Sequence, residues 1–223
     1  MEHPQIQQIP SGKMAGFGYL IGDGASGTCA LIDPAFKPAH FLDVAGRAGF
    51  RVTHVINTHS HPDHTAGNSA VMAASGARLF IHKADAPGLR IFFNRAFARV
   101  LGGKGSPPPD VLLSDQDTIS IGRIQLHVIH TPGHTPGGIC LYTHGHLFTG
   151  DTLFVGGVGR TDLSGGSQRQ LIRSIREKLY RLPGETRIWP GHDYGSTPTS
   201  TIAREMQTNP FTAEPQATTD GDT

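Results

Sequence analysis

Three histidines and one aspartate lie within six residues of this chain, in the segment His59-Ser60-His61-Pro62-Asp63-His64. Imidazole and carboxylate groups are common protein ligands for zinc and iron. Residues two apart in an extended chain point to the same side, so His59 and His61 can converge on one metal ion. Asp63 and His64 follow where the chain is expected to turn into a helix, and they can face a second ion beside the first. The alternative, a solvated histidine-rich loop, is disfavoured by the close spacing of the four residues.

Three further residues of metal-ligand type follow the ends of expected strands. His134 ends the segment Thr-Pro-Gly-His, in which proline and glycine are typical of a tight turn that presents one imidazole. Asp151 follows an apolar run, and a carboxylate at that point can bridge two cations. His192 comes directly after another short apolar run. Because sites in layered α/β folds gather in the loops at strand ends, we predict that these residues share one metal site with the first segment.

The elements that must position these side chains alternate between strand-like and helix-like patterns. We predict strands over Met14–Ile21, Gly27–Ile32, Val52–Asn57, Leu79–His82, Thr118–Ile121, Ile124–Ile129, Gly138–Thr143, His146–Thr149 and Arg187–Pro190. We predict helices over Pro38–Ala48, Thr65–Ser75, Ile91–Val100, Gln168–Arg181 and Thr201–Gln207. Glycines and prolines between residues 87 and 118 indicate an irregular excursion there. Strands precede helices in both halves, which predicts an α/β or α+β class with mixed sheets.

Composition excludes several kinds of protein. The 223 residues suit one domain, and 37% hydrophobic with 17% charged residues is typical of a globular chain. A net charge of +1 favours neither nucleic acid nor an anionic membrane as a partner. No apolar run reaches the ~18 residues of a membrane span, and two cysteines are too few for a disulfide scaffold. We therefore predict a cytoplasmic protein with Cys29 and Cys140 in its core, and a disordered tail over residues 212–223.

The candidate ligands resemble, in order and spacing, the metal motifs of the metallo-β-lactamase-fold hydrolases. The residues that carry the resemblance are the segment His59–His64, His134, Asp151 and His192. The resemblance extends from about Phe17 to Phe211. It implies a catalytic domain over residues 1–211, folded as a four-layer αβ/βα sandwich of two mixed sheets with the helices outside.

The resemblance also implies a ligand set and a chemistry. Three residues would bind the first ion, namely His59, His61 and His134. Three would bind the second, namely Asp63, His64 and His192. Asp151 and a water would bridge the two divalent ions, which would be zinc, with iron or manganese as alternatives. Two cations lower the pKa of the shared water, so that a bridging hydroxide can attack a carbonyl that the metals polarise. Asp63 would orient this hydroxide or take up its proton, and no side-chain nucleophile is needed.

Within this superfamily the chain is similar to the glyoxalase II (hydroxyacylglutathione hydrolase) family, in the segments 150–154, 157–160 and 190–194. Few residues follow His192, as in a short, single-domain form. By this similarity Arg160 and Tyr194 would contact the glutathione moiety, since a guanidinium can donate two parallel hydrogen bonds to a carboxylate. Two structural alternatives stay open: a surface ion pair between Arg160 and Asp162, and core packing of Tyr194. The histidine at position 61 disfavours the flavodiiron proteins. The absence of cysteine among the candidate ligands disfavours the antibiotic-hydrolysing β-lactamases.

The chain is also similar to the persulfide dioxygenases in two segments, Arg160-Thr161-Asp162 and His192-Asp193-Tyr194. Those enzymes bind one iron at the positions of His59, His134 and Asp151. Two histidines and one carboxylate form a recognised iron(II) oxygenase arrangement. We therefore predict a metal-dependent hydrolase that cleaves a small-molecule thioester, S-lactoylglutathione, to glutathione and a hydroxy acid. The alternatives are an iron-dependent glutathione persulfide dioxygenase, and a lactonase or another hydrolase of the superfamily. A monomer and a dimer are both compatible with the sequence.

Overall fold

The computed structural model describes residues 3–90 and 105–213. Its first sheet has six strands in chain order, β1 (Gln5–Pro10), β2 (Phe17–Asp23), β3 (Thr28–Ile32), β4 (Arg51–Ile56), β5 (Arg78–His82) and β6 (Val111–Leu113). The pairs β1–β2 and β2–β3 are antiparallel, and the pairs from β3 to β6 are parallel. The sheet is therefore mixed.

The second sheet also has six strands. These are β7 (Thr118–Ile121), β8 (Ile124–His130), β9 (Ile139–Thr143), β10 (His146–Gly150), β13 (Arg187–Pro190) and β14 (Ser200–Thr201). Their order is β14-β13-β10-β9-β8-β7, with β10 and β13 parallel and the other neighbours antiparallel. A short separate hairpin is formed by β11 (Leu153–Phe154) and β12 (Gly157–Val158).

The helices are α1 (Pro38–Arg47), α2 (Pro62–Thr65), α3 (Asn68–Ser75), α4 (Gln168–Glu177) and α5 (Ile202–Thr208), with 3₁₀ segments at Ala86–Arg90 and Leu179–Arg181. Helix α4 begins after Ser167, whose hydroxyl accepts a hydrogen bond from the Gln170 amide at 3.4 Å. Leu171 and Ile175, four residues apart, lie on the buried face of this helix. No helix in the described ranges is long and apolar enough to cross a membrane.

The strands' two faces belong to different cores. In β2, Phe17, Tyr19 and Ile21 point into the cluster shared by both sheets, whereas Leu20 points outward to Phe41 of α1. On the outer face of the second sheet, residues such as Cys140 and Leu147 pack against α4 and α5, and Cys29 is buried on the outer face of the first sheet. The result is the predicted four-layer sandwich of two mixed sheets with helices outside, and both cysteines are core residues as predicted.

Two predicted helices have different bounds in the structure. The helix expected over Thr65–Ser75 begins only at Asn68, and Thr65 is instead the last residue of the separate short helix α2. Gly67, between the two helices, passes close to the backbone of Pro34. A Cβ atom at Gly67 would lie 2.0 Å from the Pro34 carbonyl oxygen, so only glycine fits there. The helix expected over Gln168–Arg181 ends at Glu177 and continues as the 3₁₀ segment.

The strand expected from Met14 begins at Phe17, because Met14 and Ala15 have left-handed φ angles of 52° and 50°. The helix predicted over Ile91–Val100 lies outside the described residues. Thr212, the predicted start of the disordered tail, is instead buried, and its hydroxyl pairs with that of Tyr180. Its carbonyl also accepts from Arg176 Nε at 3.1 Å, so these two side chains hold the segment. Residues 214–223 lie outside the described residues, and their disorder stays a prediction.

Candidate metal centre

All seven predicted metal-ligand residues meet where strands end. Strands β8, β10 and β13 run in the same direction, so His134, Asp151 and His192 emerge at one edge of the second sheet. The loop after β4 and helix α2 carry the other four. The amide of Ile139 donates to the Thr58 carbonyl at 2.9 Å, which joins this loop to the second sheet.

The first cluster consists of three imidazole nitrogens. His134 Nε2 lies 3.3 Å from His59 Nε2 and 2.9 Å from His61 Nδ1, and the last two atoms are 3.1 Å apart. A tetrahedral metal bound at 2.0–2.1 Å spaces its ligand nitrogens by about 3.3 Å. The three nitrogens therefore already have the separation that one such ion needs.

The second cluster combines imidazole and carboxylate groups. His64 Nε2 and His192 Nε2 lie 3.2 Å apart, and Asp63 Oδ2 is 3.5 Å from His192 Nε2 and 3.9 Å from His64 Nε2. Two histidines and a carboxylate converge here on a point beside the first cluster.

Asp151 presents one carboxylate oxygen to each cluster. Its Oδ1 lies 3.3 Å from His64 Nε2 and 3.4 Å from His192 Nε2, and its Oδ2 lies 3.5 Å from His134 Nε2. The buried Oδ1 makes no hydrogen bond to any described residue. Because a buried carboxylate is costly without compensating charge, this site favours positive charge beside Asp151, which protonated imidazoles or metal ions can supply. The donor set and its spacing therefore fit a pair of divalent ions.

The electrostatics differ between the two clusters. Burial, followed by the neighbouring His134, lowers the pKa of His61 to about 4. Burial and His64 hold the pKa of His59 well below its usual value. Both imidazoles are thereby kept neutral near pH 7, which is the form that binds metals.

In the second cluster Asp151 reverses this effect. Burial disfavours a charge on His64 and His192, but the nearby Asp151 carboxylate outweighs it and raises the pKa of both. Burial likewise disfavours a charge on Asp151, and the two histidines hold its pKa well below the usual range. Protons on the histidines thus offset the carboxylate in the metal-free protein, and metal binding would release them.

Asp33 is a residue of the site that the sequence interpretation missed. Its Oδ1 accepts from the Thr58 amide at 2.8 Å, and its Oδ2 accepts from His64 Nδ1 at 2.9 Å. A carboxylate on one imidazole nitrogen fixes the ring so that the other nitrogen faces the metal. The available signal is an aspartate directly after an apolar strand, which is equally typical of a turn.

Asp85 was missed as well. Its Oδ2 accepts from the Ser60 amide at 2.8 Å, and its Oδ1 accepts from the Gly137 amide at 2.6 Å. This buried carboxylate therefore ties the loop of His59 and His61 to the turn that carries His134.

Backbone carbonyls orient two further imidazoles. His134 Nδ1 donates to the Arg160 carbonyl at 2.6 Å, and His192 Nδ1 donates to the Met14 carbonyl at 2.8 Å. Both rings consequently turn Nε2 towards the clusters.

The two predicted substrate residues lie beside a cavity of about 1060 Å³ that is also lined by His61, Asp63, His134, Asp151 and His192. Arg160 is exposed and donates to both carboxylate oxygens of Asp162, at 2.8 and 2.6 Å, so the alternative ion pair is formed. Tyr194 is not a core residue: its ring is exposed, stacks on His192 with centroids 4.8 Å apart, and its hydroxyl donates to the Met14 carbonyl at 3.2 Å. Both side chains border the cavity, where a ligand can reach them.

The chain matches the family model of the metallo-β-lactamase superfamily over residues 12–192. It is 34% identical to the human mitochondrial persulfide dioxygenase ETHE1, over 87% of this chain and 70% of that protein. It is 38% identical to the hydroxyacylglutathione hydrolase of Polaromonas sp., over 80% of this chain and 62% of that protein. The chain thus spans less than two thirds of that hydrolase.

Solved structures of other proteins have the same architecture. The BLEG-1 B3 metallo-β-lactamase superimposes with a TM-score of 0.85 at 30% identity, over 94% of this chain and all of that one. The protein TTHA1623 in a di-iron-bound form superimposes with a TM-score of 0.78 at 31% identity, over 92% of this chain and 99% of that one. Similarity at this level is shared by proteins of differing activity.

Proposed function

This chain belongs to the metallo-β-lactamase superfamily, and on that premise we propose that it hydrolyses a thioester, an S-acylglutathione such as S-lactoylglutathione, to glutathione and a free acid. The observation that carries the proposal is the placement of the Asp151 carboxylate between two clusters of imidazole nitrogens. A bridging carboxylate is suited to a two-metal hydrolase. The similarity to hydroxyacylglutathione hydrolases supports the substrate class.

We propose the following ligands. His59, His61 and His134 hold one ion. Asp63, His64 and His192 hold the other. Asp151 lies between them. The tetrahedral spacing of the first three nitrogens favours zinc, with iron and manganese as alternatives. When bound, two such cations would lower the pKa of a coordinated water and would polarise the thioester carbonyl.

The chain's own side chains supply the remaining functions. Asp63 borders the cavity, and its Oδ2 lies near His192 Nε2, where it can accept the proton of the attacking water. The thiolate product is a good leaving group and needs little acid assistance. Arg160 would exchange its exposed partner Asp162 for a glutathione carboxylate, and Tyr194 would contact the peptide beside it.

The test is hydrolysis of S-lactoylglutathione by protein loaded separately with zinc, manganese and iron, with metal content measured on the same samples. We expect loss of the thioester absorbance, abolished by a chelator and restored by metal. Protein that holds two ions and leaves the thioester intact in all three forms would contradict the proposal.

The second candidate is a persulfide dioxygenase, favoured by the 34% identity to human ETHE1. In that case one iron would be held by His59, His134 and Asp151. This activity would consume oxygen and form sulfite from glutathione persulfide, would follow iron content, and would proceed without thioester cleavage. Oxygen uptake by the iron-loaded protein therefore separates the two candidates.

A further inference from the structure

Exposed apolar side chains are concentrated around the mouth of the metal-site cavity. Six large hydrophobic residues of the described chain are exposed. Four of them line this cavity with 40–59% of their surface exposed, namely Met14, Leu163, Tyr194 and Phe211. The two that do not line it are Leu112 and Met206. Clustered apolar exposure of this kind marks a binding surface.

The apolar surface continues inward to the metal centre along the β11–β12 hairpin. Phe154 and Val155 line the cavity. The Phe154 ring meets the Tyr194 ring edge-on with centroids 5.6 Å apart, and meets the His192 ring at 5.8 Å. An unbroken apolar contact therefore runs from the second cluster towards the cavity mouth.

A buried carboxylate holds this surface in place from behind. Glu205 accepts hydrogen bonds from the Gly156 amide and from Asn209 Nδ2, each at 2.9 Å. Asn209 in turn donates to the Gly157 carbonyl at 3.0 Å and accepts from the Phe211 amide at 3.1 Å. The hairpin and Phe211 are thus fixed to one helix, so the apolar wall is formed before a ligand arrives.

We propose that this wall, formed by Phe154, Val155 and Phe211 with Leu163 and Met14 at the mouth, receives the hydrocarbon part of the acyl group. The preferred substrates are then glutathione thioesters of apolar acyl groups, ahead of the small, hydroxylated lactoyl group. This inference rests on the proposed thioester hydrolysis. Its physical basis is burial of apolar surface, which strengthens binding roughly fourfold for each methylene group.

The test compares binding with hydrolysis. S-methyl-, S-propyl- and S-hexylglutathione are thioethers that cannot be hydrolysed, and calorimetry on the metal-loaded protein gives their Kd values. We expect Kd to fall roughly fourfold for each added methylene. We expect kcat/KM to rise in the same manner from S-acetyl- to S-hexanoylglutathione.

Phe211→Ala should weaken binding of the S-hexyl compound by roughly tenfold and leave the S-methyl compound unchanged. Leu163→Ala should act in the same direction. Met206→Ala, an exposed apolar residue five positions from Phe211 and away from the cavity, is the matched control and should change neither.

The outcomes separate the two proposals. Hydrolysis with Kd and kcat/KM independent of chain length would overturn the apolar acyl site and leave the thioesterase intact. Chain-length-dependent thioether binding without hydrolysis of any thioester would overturn the proposed function. A third outcome would be Kd values that do not depend on chain length, together with a wild-type dimer that light scattering shows to dissociate in Phe211→Ala. This outcome would overturn the inference and assign the exposed apolar residues to contact between two copies of the chain.

Discussion

His64 Nδ1 donates to Asp33 Oδ2 at 2.9 Å, while Nε2 of the same ring lies 3.3 Å from Asp151 Oδ1. One imidazole thus connects a carboxylate behind the metal centre with the carboxylate between its two clusters. Carboxylate partners of this kind set both the tautomer and the basicity of a metal-binding histidine.

Asp33→Asn should therefore weaken metal binding at the second cluster. The amide places an N–H group against either His64 or Thr58, so one of the hydrogen bonds is lost. We expect affinity for the second zinc ion to fall by about 10–100-fold, measured by chelator competition, with the first ion retained. Asp43→Asn, which alters only an exposed pair with Arg47, is the control. Unchanged affinity in Asp33→Asn would contradict the positioning role.

Asp151→Ala should be the most damaging single change. It removes the group between the clusters and leaves two cations close together with less charge to compensate them. We expect loss of the second ion and a fall in kcat of at least about 100-fold, checked by elemental analysis and steady-state kinetics. Asp193→Ala removes an exposed carboxylate beside His192 and should behave as wild type. Wild-type turnover and metal content in Asp151→Ala would refute the bridging assignment.

Arg160→Ala and Tyr194→Phe should raise KM for S-acylglutathiones while kcat stays close to wild type. The glutathione arm is bound similarly before and during the reaction, so its contacts contribute equally to the ground state and the transition state. We expect a rise in KM of roughly tenfold for Arg160→Ala. Arg173→Ala breaks a comparable exposed ion pair with Glu177 and serves as control. A lower kcat at unchanged KM would assign these residues a different role.

His82 should make the fold sensitive to acid. Burial is the main cause that lowers the pKa of His82 from 6.5 to about 4. The second cause is the His130 ring, which stacks on His82 with ring centroids 4.1 Å apart. The unfolded chain then binds more protons than the folded one between these values. The stability contributed by neutral His82 is therefore complete above pH 6.5 and is lost as the pH falls towards 4.

His82→Asn keeps an acceptor for the Ala84 amide and does not titrate. Both proteins should lose stability between pH 7 and pH 4.5. The free energy of unfolding, measured by urea denaturation, should fall by about 2–3 kcal/mol more in the wild type than in His82→Asn. The metal-site histidines are the same in both proteins, so the difference between the two isolates His82. His127→Asn, on the exposed face of β8, is the control. Parallel pH dependences for wild type and His82→Asn would disprove the prediction.

The seven candidate ligands could be identified from sequence because their types and short spacings are readable without a structure. Asp33 and Asp85 could not be identified in this way. Their partners lie 25 or more residues away, at Thr58, His64, Ser60 and Gly137, and come close only when the strands are assembled. A single aspartate at the end of a strand is equally compatible with a turn.

The central strands were predicted closely because they alternate or are uniformly apolar. The edge strand β1 was not predicted, because its polar residues and terminal proline are typical of a loop. It is a strand because it pairs with β2. The close approach of Gly67, between α2 and α3, to the Pro34 carbonyl is a contact that periodicity cannot show. Tertiary contacts decided each of these cases.

The hydrogen bond from His192 Nδ1 to the Met14 carbonyl joins residues 178 positions apart. The second cluster consequently cannot form on a partly synthesised chain, because its last member, His192, emerges from the ribosome after almost the whole domain has been made. Until then the nascent chain can offer only the histidines and carboxylates that precede it. The second cluster is therefore assembled only after His192, which follows β13, has met the segment that precedes β2.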